Sequence, residues 1–225
     1  MDGILLIDKP QGWTSHDVVA KVRSILKQAS GQKVKVGHTG TLDPMATGLL
    51  ILVIGNYTKR AGEFTMLDKV YQAEATLGSN STTGDNEGEI TKISDEQPPK
   101  TAAEAVLDRF KGEILQRPHI YSAVKIGGQR AYKAARGGKM VEIEPRKVKI
   151  YEITDVKYEY PKLSFTCKVS SGTYIRSLAE DIGAALGTGA YLSALRRSQV
   201  GSYSVSKALT LDNLDYERLT KHLAI

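Results

Sequence analysis

A mixed, mostly antiparallel α/β sheet flanked by helices, with a basic insertion projecting from it, is the fold class this sequence predicts. Three observations carry that expectation. Apolar runs with strand character are interspersed with helix-period segments along the whole chain. Several neighbouring strand runs read as antiparallel rather than doubly wound. The charge is unevenly placed: residues 1–60 carry 8 basic and 4 acidic groups, 61–110 carry 4 and 10, 111–150 carry 10 and 3, and 151–225 carry 9 and 8. The forty-residue basic segment, flanked by an acidic one, is a candidate polyanion-binding arm, although a solvated lysine-rich surface has the same composition.

Each element has a local reason. Gly3-Ile4-Leu5-Leu6-Ile7 is a short apolar run stopped by Asp8-Lys9-Pro10-Gln11-Gly12, a buried strand ending in a turn. Ser15 is placed to cap a helix whose Val18, Val19, Val22, Ile25 and Leu26 form one apolar face, with Gly31 just past its end. Lys33 to Val36 reads as a short strand, residues 37–44 as a loop, and Gly48 to Gly55 as a buried strand. Val70 to Leu77 alternates as a strand. Gly78 to Glu89 is acidic and Gly-containing, hence loop, and Thr101 with Glu104 has the spacing of a capping box for a helix reaching about Phe110.

The basic segment 117–146 interleaves Tyr121 and Tyr132 with Arg117, Lys125, Arg130, Lys133, Arg136 and Lys139, and its paired glycines bracket a short helix. Two strands follow, the second with Leu163, Phe165, Cys167 and Val169 on one face, which makes Cys167 a core thiol. Ser177 to Leu186 and Asp212 to Leu223 are the closing helices. No linker composition cuts the chain, so 1–225 is expected to be a single domain with the insertion at about 117–146.

Several function classes drop out. Six residues, Leu49 to Ile54, is the longest aliphatic run, too short for a membrane span, and no leader peptide is visible at the N-terminus. One cysteine in 225 residues excludes an internal disulfide framework and points to a soluble, cytoplasmic protein of a reducing compartment. No Walker A or dinucleotide fingerprint is present, and histidines 16, 38, 119 and 222 lack metal-ligand spacing. Chemistry without a cofactor or metal then rests on a carboxylate, a tyrosine or the loop histidine.

Residues 37–44 are the best candidate. Gly37 and Gly40 permit close approach of a backbone or ligand, and Pro44 restricts Asp43 to extended backbone, fixing where its carboxylate points. Asp-Pro is also an ordinary turn initiator.

The block Gly37-His38-Thr39-Gly40-Thr41-Leu42-Asp43-Pro44-Met45-Ala46-Thr47-Gly48-Leu49-Leu50 resembles the catalytic motif of the TruB family of tRNA pseudouridine synthases. Asp8 to Ser15, Asp68-Lys69-Val70-Tyr71, Ser171 to Arg176 and Leu195-Arg196-Arg197 resemble the same family in the same order, and Tyr121 to Lys125 is similar to the stretch entering its RNA-gripping insertion. The resemblance implies conversion of uridine to pseudouridine in the T-loop of tRNA, at position 55, with no cofactor and no metal. It implies Asp43 as nucleophile, Arg176 as the arginine paired with that aspartate, and Tyr71 as the tyrosine stacked on the displaced uracil and placed for the C5 proton. It also implies His38 as an aid to nucleotide extrusion and Tyr174 and Leu195 as walls of the uracil pocket. Lys59, Arg60, Arg196 and Arg197 are then candidates for phosphates, as are Lys125 and Arg130 on the basic insertion; each alone is usually a solvated charge. Lys9 and Pro10 are expected to support the loop and carry no chemistry.

The family usually continues into a C-terminal RNA-binding domain of the PUA type, which is not expected in this chain. A monomer acting on the T-arm of tRNA is the expectation. A non-catalytic tRNA-binding or folding factor on the same scaffold is the alternative.

Overall fold

The computed structural model describes residues 1–118 and 143–224, and the backbone of residues 125–126 and 129–130. Strand β1 (Gly3–Lys9) ends in a turn where Gly12 takes φ +82°, and helix α1 (Ser15–Ser30) follows. The helix starts one residue away from the expected cap. Thr14, not Ser15, is the N-cap, and Thr14 and Asp17 exchange side-chain-to-backbone bonds as a capping box. Ser15 is thereby released to point inward, with a consequence for the candidate site. Gly31 closes the helix in the left-handed conformation, its N–H on Lys27 O.

Strand β2 (Val36–His38) starts three residues later than the expected Lys33–Val36 and takes in the start of the expected loop. It pairs antiparallel with β3 (Thr47–Ile54), with His38 opposite Leu52. A 3-10 turn at Gly55–Arg60 leads to the short helix α2 (Ala61–Thr65) and then to β4 (Lys69–Leu77). The stretch expected to be loop carries β5 (Ser79–Ser81), paired with β6 (Ile90–Lys92). Helix α3 (Lys100–Asp108) begins at Pro99 without a side-chain cap. The Thr101–Glu104 capping box does not form, because Thr101 already lies inside the helix; Glu104 instead stands 3.7 Å from Lys100. Strand β7 (Gly112–Gln116) follows, then the paired β8 (Lys125–Ile126) and β9 (Gln129–Arg130). The short helix expected between the paired glycines lies outside the described residues.

Next come the antiparallel pair β10 (Arg146–Glu159) and β11 (Lys162–Val169), helix α4 (Ile175–Leu186) and strand β12 (Ala190–Val200), for which no expectation was available. The chain closes with β13 (Tyr203–Ser204), β14 (Leu209–Thr210) and helix α5 (Tyr216–Lys221), a shorter helix than 212–223 suggested.

Contacts divide the chain into two compact units, Met1–Tyr71 with Arg196–Ile225, and Gln72–Leu195. In the first, strands run in the order β14-β1-β3-β12, with β2 also on β3 and β13 on β12. β1 pairs antiparallel with β3 from Gly3 opposite Ile54 to Lys9 opposite Gly48, whereas β14 and β12 join in parallel. β3 is buried on both faces, from Leu49 to Ile54 at no more than 1% exposure, which is why it reads as an unbroken aliphatic run. Ile4, Leu49, Ile51, Val53, Phe64 and Val200 form one hydrophobic cluster there.

In the second unit the strand order is β12-β4-β11-β10-β7. Leu163, Phe165, Cys167 and Val169 are all buried, as the alternation predicts, and α3 packs on β10 and α4. No helix among the described residues is long and apolar enough to cross a membrane.

Candidate active site

In the first unit the Asp43 loop is tied down on every side. Ser15, 2% exposed, donates its hydroxyl to Leu42 O at 3.0 Å and accepts from Leu42 N at 2.8 Å, a closed pair of bonds on the residue before Asp43. On the other side, Gly12 N donates to Pro44 O at 2.8 Å. Lys9 is fully buried, and its Nζ donates to Trp13 O at 2.6 Å, Pro10 O at 3.0 Å and Pro44 O at 3.4 Å. A buried ammonium needs such partners, and here they join the β1–α1 turn to the loop. The loop closes on itself through Ala46 N to Asp43 O at 3.1 Å, and Asp43 is half-buried.

Arg197 holds the two ends of this loop. It is 2% exposed, and it donates Nη2 to Gly40 O at 2.9 Å and Nε to Leu49 O at 2.8 Å. Its guanidinium is buried, and these two donors are committed to backbone carbonyls. Gly48, opposite Arg197, shows why the approach is possible: φ is +102°, and a Cβ would sit 2.3 Å from Arg197 O.

Arg196 is partly exposed and forms a two-point pair with Asp8, at 2.7 and 3.1 Å. Arg60 lies over the Tyr57 ring at 4.8 Å and pairs with Glu63, while Lys59 is exposed. His38 is half-buried on β2, and Tyr71 is buried at 8% exposure on β4. Two residues before Tyr71, buried Lys69 donates to Thr65 O at 2.5 Å, and Thr65 donates its hydroxyl to Thr39 O at 2.9 Å. Burial, with the neighbouring Arg197 charge, brings the Lys69 ammonium down to about 8 against an opposing pull from Asp68.

The second unit holds Arg176, Tyr174 and Leu195. Arg176, in the first turn of α4, is 7% exposed and donates Nη1 to Thr83 O at 3.0 Å and to Asp85 at 3.3 Å. Asp85 is 2% exposed and also accepts from Thr83 Oγ1 at 2.5 Å and Glu87 N at 3.1 Å. One turn along α4, burial raises Glu180 to about 7, with the carboxylates of Asp181 and Asp85 adding to the rise and Arg176 opposing it.

Tyr174 precedes α4 and is clamped through its backbone. Gln116, 1% exposed, donates to Tyr174 O at 3.0 Å and accepts from Tyr174 N at 2.8 Å, and the Arg146 guanidinium lies over the Tyr174 ring at 5.1 Å. Leu195 is half-buried on β12. Lys125 and Arg130 are paired across β8 and β9 by their backbones.

Asp43, Tyr71, His38, Lys59, Arg196 and Arg197 thus share the first unit, and Arg176, Tyr174, Leu195, Lys125 and Arg130 the second. Sequence reasoning missed Ser15 as a loop tie, Gln116 as a clamp and Asp85 as an ion-pair partner. For Asp85 a signal existed, a carboxylate followed by Asn-Glu-Gly in a turn-rich run, but its partner lies 91 residues away.

The chain matches the family model described as "TruB family pseudouridylate synthase (N terminal domain)" over residues 23–175. It matches "tRNA pseudouridylate synthase B C-terminal domain" over residues 176–222. It is 45% identical over 234 residues to tRNA pseudouridine synthase B of Thermobifida fusca, covering 99% of this chain and 78% of the relative. The Burkholderia mallei protein of the same name is 45% identical over 215 residues, covering 96% and 70%. Among solved structures, a chain of a Cbf5-Nop10-Gar1 complex is 33% identical with a TM-score of 0.72, over 94% of this chain. An H/ACA RNP bound to a substrate RNA containing 2'-deoxyuridine matches at 30% and 0.69. This chain spans 53% and 52% of those solved chains, about half their length.

The mixed sheet with its braced carboxylate loop falls in the class of pseudouridylate synthases. Within that class, the chain belongs to the TruB family.

Proposed function

We propose that this chain converts uridine to pseudouridine in the T-loop of tRNA, at position 55, as one catalytic domain over residues 1–225 with an RNA-gripping insertion at about 117–146. The observation that carries the reading is the Asp43 loop, tied by Ser15, Lys9, Gly12 and Arg197, which holds a single carboxylate on a rigid support. Relatives named tRNA pseudouridine synthase B support the substrate class.

The reaction breaks the N1–C1′ bond, turns the uracil and forms C5–C1′, with the C5 proton lost and one proton gained at N1. Atoms and electrons balance without a redox partner. Asp43, ionised, is the nucleophile. Arg176 partners that carboxylate and is itself steadied by Asp85, which fixes the guanidinium before substrate arrives. Tyr71 stacks on the released base and takes the C5 proton. The target base must leave its stack to reach C1′ chemistry; His38 assists that step and Tyr174 and Leu195 wall the pocket. Arg196, Lys59, Lys125 and Arg130 meet the RNA backbone of the T-arm, and the chain works as a monomer in the cytoplasm.

The test is a map of the product. Unmodified tRNA transcript is incubated with the chain, treated with carbodiimide and read by primer extension. A single stop at the T-loop uridine, lost when that uridine is replaced by cytidine, is expected. Tight tRNA binding with no stop anywhere would replace this reading with that of a tRNA-folding factor.

A further inference from the structure

Arg146, at the start of β10, is a charged side chain beside Tyr174 that the scheme above leaves unused. Its Nε and Nη2 are buried and have no hydrogen-bond partner among the described residues. A guanidinium with unmet donors is costly, because desolvation of a charged group is repaid only by partners. The rest of the guanidinium is well located. Its Cζ lies 5.1 Å from the centroid of the Tyr174 ring, a cation–π arrangement. Its other edge backs on the turn at Gly172, where a Cβ would come 4.0 Å from Nη1 and where φ is +85°. The backbone of Tyr174 is held in turn by the two Gln116 bonds, and Gln116 stands opposite Arg146 in the β7–β10 pairing.

The two unmet nitrogens form the side-on fork of the guanidinium, two roughly parallel N–H donors spaced for two oxygens of one anion. We propose that Arg146 is a phosphate-binding residue: its Nε/Nη2 fork takes one phosphodiester of the substrate RNA, while its face supports the Tyr174 ring. The inference rests on the reading that RNA is the substrate. It deepens that reading by assigning a backbone contact to a residue beside the pocket wall. One residue then couples engagement of the RNA backbone to the pose of Tyr174.

The test uses the full chain and unmodified tRNA in filter binding across a salt series. Arg146→Met should raise Kd on the order of tenfold, the scale of one charge-assisted hydrogen-bonded contact. It should also lower the slope of log affinity against log salt by about 0.7–0.9, one phosphate's worth of released counterions. Arg146→Lys should retain the slope and recover part of the affinity. An Arg146→Met slope equal to wild type would overturn the proposal and leave Arg146 as a prop for Tyr174.

Single methylphosphonate linkages walked through the T-arm give a second measurement that does not depend on the Met variant folding. One linkage should penalise wild type several-fold more than Arg146→Gln, which brings no charge to that phosphate; equal penalties at every linkage would overturn the proposal. Pseudouridine formation by wild type is scored in parallel. A chain that shows the slope change but makes no pseudouridine keeps the phosphate site and loses the functional reading, and the reverse result removes only the site.

Discussion

Arg176, Asp85 and Glu180 bring three ionisable side chains into a poorly solvated corner of the second unit. Arg176 and Asp85 satisfy each other at 3.3 Å, with Thr83 and Glu87 completing the carboxylate's bonds. Glu180, four residues along α4, meets burial and the carboxylates of Asp181 and Asp85, and is raised from 4.5 to about 7. Between those values the folded chain holds a proton that the unfolded chain has released. Its stabilising contribution is therefore complete below pH 4.5 and is lost as pH rises through 7. Urea midpoints between pH 4.5 and 7.5 should fall less in Glu180→Gln than in wild type. Parallel curves for the two proteins would show that Glu180 does not carry the proton. Little of this was legible from residue types: Asp85 sits in an acidic, Gly-containing run that reads as solvated loop, and its ion-pair partner lies 91 residues away.

Among the elements, β3 and the loop before it were the most legible, because a strand buried on both faces must be aliphatic throughout. The alternation in β11 was equally plain. β12 was not, since a strand carrying Arg196 and Arg197 in sequence fits neither a buried run nor an alternating one. Arg197 is tolerated there because the Gly40 and Leu49 carbonyls meet its donors. Caps failed by a residue or two for a similar reason: Thr14 and Ser15 are both competent N-caps, and the loop's need for Ser15 at Leu42 decides between them. Gly48 is where this packing is least forgiving. Gly48→Ala should cost about 1–3 kcal/mol from the left-handed backbone alone, with the overlap on Arg197 O adding to it. Gly62→Ala, in α2 with nothing within 4 Å of a new Cβ, should be neutral or slightly stabilising. Chemical unfolding of the two variants checks the contrast, and equal loss in both would remove the close β3–β12 approach as its cause.

At the scale of the whole molecule, the chain passes between its two units within β4, after Tyr71, and within β12, after Leu195. Residues that the resemblance links to one reaction are therefore carried by both, Asp43 and Tyr71 in the first and Arg176 and Tyr174 in the second. The long-range ties that brace the Asp43 loop also span the sequence, from Lys9 to Arg197. The family was legible from the motifs because each is contiguous. The bracing was not, because it depends on which strands neighbour one another.

The central claim is that Asp43 drives a rearrangement in which ribose is rejoined at C5. That step expels the hydrogen at C5, so tRNA labelled with tritium at uridine C5 reports it directly. Wild type and Asp43→Asn would be compared at saturating tRNA, without added cofactor and with chelator present. One equivalent of tritium released per tRNA by wild type, and none by Asp43→Asn, is the predicted result. Release by both proteins, or by neither while tRNA remains bound, would contradict it.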